Sequence, residues 1–138
     1  MAKVTQSMVS KKNPFWIPKN RYYELKYFCF QFWDWQRRRL ELDGIATKYN
    51  REPTESEALE RYELQTRIDM VMNALVASTY KTTNTTELDM RLEKIILDGV
   101  TKGYSYDYMS NRKIMPVGRD LYYVVYRKFF YHLDIARK

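Results

Sequence analysis

Four glycines and four prolines in 138 residues leave this chain few places to turn sharply, and that scarcity constrains the fold more than any motif does. Gly and Pro are the strongest breakers of regular structure, so the long intervals between them read as helices. The interval opening at Lys19 or Asn20 runs to about Leu42 and is the longest candidate helix. Pro53-Thr54-Glu55-Ser56-Glu57 then offers a capping box: the Thr54 hydroxyl accepts from the Glu57 backbone, and the Glu57 carboxylate returns to the Thr54 N–H. A helix to about Ser78 follows, with Leu64, Ile68, Val71, Met72 and Leu75 as its apolar stripe. Between them, residues 43–52 read as a polar loop. A Thr-rich connector leads to a helix over about 86–98, capped by Asn84 or Thr85, ended by Gly99 or Gly103, and facing inward with Leu88, Leu92, Ile95 and Ile96. Ser105 caps a short helix over 105–110, and Pro116 with Gly118 marks the start of a last helix over 119–133.

The expected fold is therefore all-α: a helical bundle with a long aromatic N-terminal helix and a C-terminal helix-turn-helix. Residues 1–18 read as a basic extended arm, with Lys3, Lys11 and Lys12 and no acid in the first thirteen residues, and with Pro14 and Pro18 enforcing an extended path that Phe15, Trp16 and Ile17 pin to the domain. Residues 19–138 read as one helical domain, within which 86–138 forms the helix-turn-helix unit. At this length, with 45% apolar residues, one domain with a substantial core is the natural size.

The helix over 20–42 carries aromatics on more than one side. Tyr22, Leu25, Cys29, Trp33 and Leu40 form one stripe, Tyr23, Tyr27 and Phe30 a second, while Phe28 and Trp35 lie opposite. A helix apolar around most of its circumference is central to a bundle or shared with another chain. Tyr23, Tyr27, Phe28 and Trp35 are accordingly the candidate interface, for a homodimer or another protein, since aromatic residues dominate interface cores. Core packing alone explains the same pattern. Arg37, Arg38 and Arg39 close this helix, where cations favour the negative end of its dipole.

Charge is distributed unevenly along the chain. Residues 1–40 hold nine Lys/Arg against two Asp/Glu, residues 41–90 five against ten, and residues 91–138 ten against five, which gives +7, −5 and +5. Positive ends around an acidic middle suit a polyanion ligand and a separate partner surface, or simple neutralisation between neighbouring helices.

In the last helix Leu121, Val125, Phe129 and Leu133 recur every four residues, with Val124 beside them. The remaining surface is expected to carry Arg119, Tyr123, Tyr126, Arg127 and Phe130. In a helix-turn-helix the N-terminal residues of the second helix meet base edges and the first helix crosses the backbone. The candidate DNA-binding set is thus Arg119 and Tyr123 toward bases, Arg112, Lys113 and Arg127 near phosphates, and Tyr126 on the same face. A two-helix hairpin with a charged outer face and no ligand produces the same pattern. Lys128 and His132 fall near the apolar stripe and read as packing or snorkelling residues.

Catalytic constellations are thin. His132 is the sole histidine and Cys29 the sole cysteine, which excludes a zinc finger, an intramolecular disulfide and a His-rich metal cluster. Gly99 to Gly103 lacks the spacing of a phosphate-binding loop. No enzyme activity, cofactor or metal is expected. Cys29, within an aromatic run, reads as a small buried hydrophobe. With no secretory signal or membrane span in evidence, a reducing cytoplasm is the expected compartment.

Over residues 103–133 the chain resembles the C-terminal part of the ArpU/RinA-like late transcription regulators of bacteriophages. The residues carrying the resemblance are Gly103 and Ser105, the Pro116-Val117-Gly118-Arg119-Asp120 start, Tyr122-Tyr123, and Arg127-Lys128-Phe129-Phe130; the PFWIPKNRYYEL segment also looks like the opening of small phage proteins of this type. Val124, Val125 and Tyr126 depart from it, standing where a strong DNA-reading helix has more basic residues. The resemblance implies a sigma-factor-like helix-turn-helix, promoter-proximal binding of duplex DNA in a bacterial host cell, and host RNA polymerase as a partner. Two other readings stay open: a module that binds a host protein, RNA polymerase or a defence protein, through the aromatic helix 20–42, and RNA binding through the Tyr-rich basic surface.

Overall fold

The computed structural model describes residues 13–138, and among them every regular element is helical. In chain order these are α1 (Lys19–Cys29), α2 (Phe32–Asp43), α3 (Ile45–Tyr49), α4 (Glu55–Thr79), α5 (Thr86–Lys102), α6 (Tyr106–Ser110) and α7 (Arg119–Ala136). The all-α fold expected from the sequence is what the chain adopts. The proposed basic arm falls largely outside the described residues. Its described end makes a turn in which Trp16 N–H donates to the Asn13 carbonyl, and then buries Ile17 and sets the Phe15 ring edge-on to Tyr131.

Two expectations are corrected at the N-terminal end. The single long aromatic helix is two helices, because the chain turns at Phe30 and Gln31 before α2 begins. The break lets Leu25, Phe28 and Cys29 of α1 and Phe32 and Trp35 of α2 all enter one core, which a straight rod with rings on every side could not achieve. The polar loop after Gly44 contains a further helix, α3, whose Ile45 is buried and which ends at Asn50 in the left-handed conformation.

The α4 start matches its sequence signature, with Glu57 N–H donating to Thr54 Oγ1 at 3.1 Å and Thr54 N–H donating to Glu57 Oε1 at 2.8 Å. Arg51 adds a bidentate pair to the same carboxylate. Together the Arg51 guanidinium and the Thr54 N–H hold the Glu57 carboxyl down at about 2, below the ordinary carboxylate range. A depressed folded-state pKa means the unfolded chain binds the proton first on acidification. The stabilisation by this cap is complete above the ordinary Glu pKa of about 4.3 and drains away as pH falls toward 2. Thr54→Ala is expected to lower stability by about 1 kcal/mol at neutral pH. Urea unfolding checks both points: Thr54→Ala at pH 7 for the cap, and Glu57→Gln, which removes the titrating carboxylate, at pH 7 and pH 3, where it should lie closer to wild type at the lower pH.

Thr85 caps α5, and Gly103, at φ +74°, ends it. α4 packs along α2 and α7, while α7 also meets α1 and α5. That makes α7 the central helix. Tyr122, Val125, Tyr126, Phe129, Phe130, Leu133 and Asp134 are all buried, and only Asp120, Leu121, Ile135 and Ala136 of α7 are exposed. Cys29 is fully buried, as its aromatic surroundings suggested, and burial pushes its thiol pKa well up.

Candidate nucleic-acid interface

The burial of α7 decides where a ligand can sit. Tyr126, placed on the DNA-binding face by its spacing, is 8% exposed, and its hydroxyl lies 3.0 Å from that of Tyr22 in the core. Phe130, expected beside it on the surface, is fully buried against Tyr22 and Phe129. Both are corrections with one cause: tyrosine and phenylalanine at i, i+4 pack against α1 rather than facing water. Tyr123 is half-buried and its hydroxyl oxygen accepts from Tyr106 N–H. Arg127 is half-buried, and desolvation lowers its pKa. Arg119 pairs with Asp107 of α6, which raises its pKa, and its guanidinium stands 5.7 Å from the Tyr123 ring centre. The outward side of α7 is therefore covered by α6 at one end and by Phe15 at the other, where Phe15 also meets Lys128. Along the same side Val124, Arg127 and Lys128 are half-buried, and Asp120, Leu121 and Ile135 are exposed.

The interface expected on the first aromatic helix is corrected in part. Phe28 and Trp35 are buried, at 8% and 6% exposure, and their rings pack on each other at 4.7 Å, with Arg137 stacked 3.7 Å over Phe28. Tyr23 is half-buried against the core, and Tyr27 is exposed. The three arginines ending α2 are engaged as well. Arg37 bonds Asp34, Arg38 bonds Glu60 and Glu41, and Arg39 bonds Gln65.

A different surface gathers exposed cations. Arg91, Lys94 and Lys102 lie exposed along α5, and Arg112 and Lys113 of the following connection lie exposed nearby, with Lys94 and Lys113 lining one shallow groove beside Arg91 and Ile114. Among the described residues Asp98 is the carboxylate paired with this group, at 3.4 Å from Lys102 Nζ and 3.5 Å from Lys113 Nζ. Aromatic rings interleave with them. Lys102 Nζ stands 5.2 Å from the Trp33 ring centre and 5.9 Å from that of Tyr104, and the Arg112 guanidinium lies 3.6 Å above Tyr108. Such contacts hold long side chains in place at a surface and leave their charge available.

The local folding that builds this surface was readable in pieces. Gly103 turns the chain out of α5, Ser105 caps α6 by accepting from Tyr108 N–H at 3.1 Å, and the Tyr106 hydroxyl donates to the Val117 carbonyl, tying the connection down. Of the sequence-derived set, Arg112 and Lys113 belong to the surface. Trp33, Lys102, Tyr104, Tyr108, Arg91 and Lys94 were missed. The available signal was the spacing Tyr104, Tyr108, Arg112, four residues apart each time.

A cleft of about 630 Å³ at the α2 to α3 corner includes Arg38 and Arg51, but each already bonds a glutamate. Among the described residues no cluster of His, Cys, Asp and Glu could hold a metal ion, and no helix is long and apolar enough to cross a membrane. Comparison with family models, with curated proteins and with solved structures finds no match to this chain.

Proposed function

We propose that this protein is a nucleic-acid-binding regulator whose contact surface is the outer side of α5, α6 and the connection to α7, not an α7 recognition face. The observation that carries the proposal is the cluster of Arg91, Lys94, Lys102, Arg112 and Lys113 with Asp98 as its bonded carboxylate. An excess of about four positive charges on one face attracts a polyanion and releases its counterions, which is the sequence-independent core of nucleic-acid affinity. The phage transcription role, with host RNA polymerase or a second copy of the chain as partner, is the setting that the ArpU/RinA-like resemblance implies. Tyr27 and Phe30 are the exposed rings of α1 and the turn after it on which such a partner would rest.

Fluorescence anisotropy with labelled oligonucleotides tests this directly. Affinity should fall steeply with salt, each neutralised phosphate contributing a log–log slope of about −0.9 on a duplex and about −0.7 on a single strand. Lys113→Ala should weaken binding to all sequences alike and flatten the slope by about one unit, whereas Arg127→Gln, half-buried on α7, should leave binding intact. Salt-independent binding, or a slope unchanged in Lys113→Ala, would sink the assignment of this surface.

A further inference from the structure

Tyr104, Tyr108 and Arg112, spaced four residues apart across α6, form a column of planar groups. The Tyr104 and Tyr108 rings lie 4.5 Å apart with planes 34° from parallel, and the Arg112 guanidinium caps Tyr108 at 3.6 Å. Arg112 is not swinging freely, because its Nη1 donates to the Tyr108 carbonyl at 2.8 Å, which holds the plane near the ring. At the other end Lys102 sits between Tyr104 and Trp33, and the indole N–H of Trp33 donates to Thr101 Oγ1 at 2.9 Å. Four planar groups and one ammonium thus stand in a row, with Trp33, Tyr108 and Arg112 exposed.

Duplex DNA offers such a row only phosphates and base edges, because its base faces are already stacked on each other. An unpaired base offers a face, and proteins take it on aromatic rings or on guanidinium planes. Resting on the nucleic-acid reading above, we propose that the ligand is single-stranded: an unpaired base stacks on the exposed side of Arg112, extending the Tyr104, Tyr108, Arg112 column, while Lys102 and Lys113 hold its phosphates. Asp98 lies between these two lysines and neutralises only one of them. The connection places Lys113 next to the stacking group in sequence, as a base and its own phosphate require.

The full chain is titrated with labelled oligo-dU and oligo-U of about twelve nucleotides, within the range a single-strand groove spans, and with a duplex of equal length. Either single strand should bind more tightly than the duplex, and the stronger of the two identifies the sugar. Arg112→Lys keeps the charge and removes the plane, so single-strand affinity should drop about tenfold with the salt slope unchanged and duplex binding unaffected. Tyr108→Leu should act in the same direction, and circular dichroism confirms that both variants keep their helices. Duplex binding as tight as single-strand binding, or Arg112→Lys binding like wild type, overturns the stacking proposal and leaves the nucleic-acid reading standing. Failure of all three oligonucleotides to bind overturns both.

Discussion

Arg21→Ala is expected to be among the most damaging single substitutions in the molecule, lowering unfolding free energy by about 3 kcal/mol, at the lower end of the range for orphaning a buried charge. Asp134, on the central helix, is only 6% exposed, and the Arg21 guanidinium of α1 bonds its carboxylate directly. Removing Arg21 leaves that carboxylate inside with only Lys138, 3.5 Å away and itself largely in water. The reverse change should be milder. In Asp134→Ala the abandoned Arg21 is partly exposed and lies 3.7 Å from Glu24, so it keeps both solvent and an ion-pair partner. Urea unfolding with an unchanged slope and shifted midpoints would measure both. Equal losses in the two variants would mean that the pair acts as a simple contact and that desolvation is not what orders them.

Gly99→Ala should likewise destabilise by about 1–3 kcal/mol, the range for forcing extra volume into a packed core. A Cβ built on Gly99 would overlap the hydroxyl of Tyr122, and that ring is fully buried and cannot swing away. The same hydroxyl has no hydrogen-bond partner among the described residues. Tyr122→Phe therefore removes an unsatisfied oxygen, and should raise the melting temperature by a few degrees, since burying such a group without a partner costs about 1–3 kcal/mol. The double variant should recover most of what Gly99→Ala loses, a coupling that a double-mutant cycle reads. Tyr126→Phe is the contrasting case, because it strands the Tyr22 hydroxyl 3.0 Å away and should destabilise. If phenylalanine is unfavourable at 122 as well as at 126, the Tyr122 hydroxyl has a bonded role after all.

These tyrosines also explain how far the sequence could be read. Caps and breakers were legible because their signals are local: Thr54 with Glu57, Thr85, Ser105, and Gly103 all stand where their side chains or backbone freedom demand. The faces of α7 were not. The four-residue repeat through Leu121, Val125, Phe129 and Leu133 identifies one side, of which Leu121 proves exposed, but Tyr122, Tyr126 and Phe130 bury the adjoining side, where α1 closes over Tyr126 and Phe130. Tyrosine is the ambiguous residue here, since a hydroxyl that bonds another hydroxyl needs no water. The rule that a helix apolar all round is central applied to residues 119–136 more than to residues 20–42, where the turn at Phe30 and Gln31 divides the rings between two helices. The cationic surface was half legible, through Arg112 and Lys113. Its remainder joins residues distant in sequence, Trp33 with Lys102 and Tyr104, which no periodicity can bring together.

The position of α7 has a further bearing on how the molecule comes into being. Translation delivers residues 119–136 after all six other helices described here, yet these residues form the shaft on which α1, α4 and α5 close. Until they emerge, the sides of α1, α4 and α5 that meet α7 lack their cover, so the nascent chain passes through a stage with unsheltered apolar helix faces. Pairing α1 with α7 spans more than a hundred positions, which makes the late step a slow search compared with the zipping of neighbouring helices. Ribosome stalling before codon 119 should therefore yield a chaperone client.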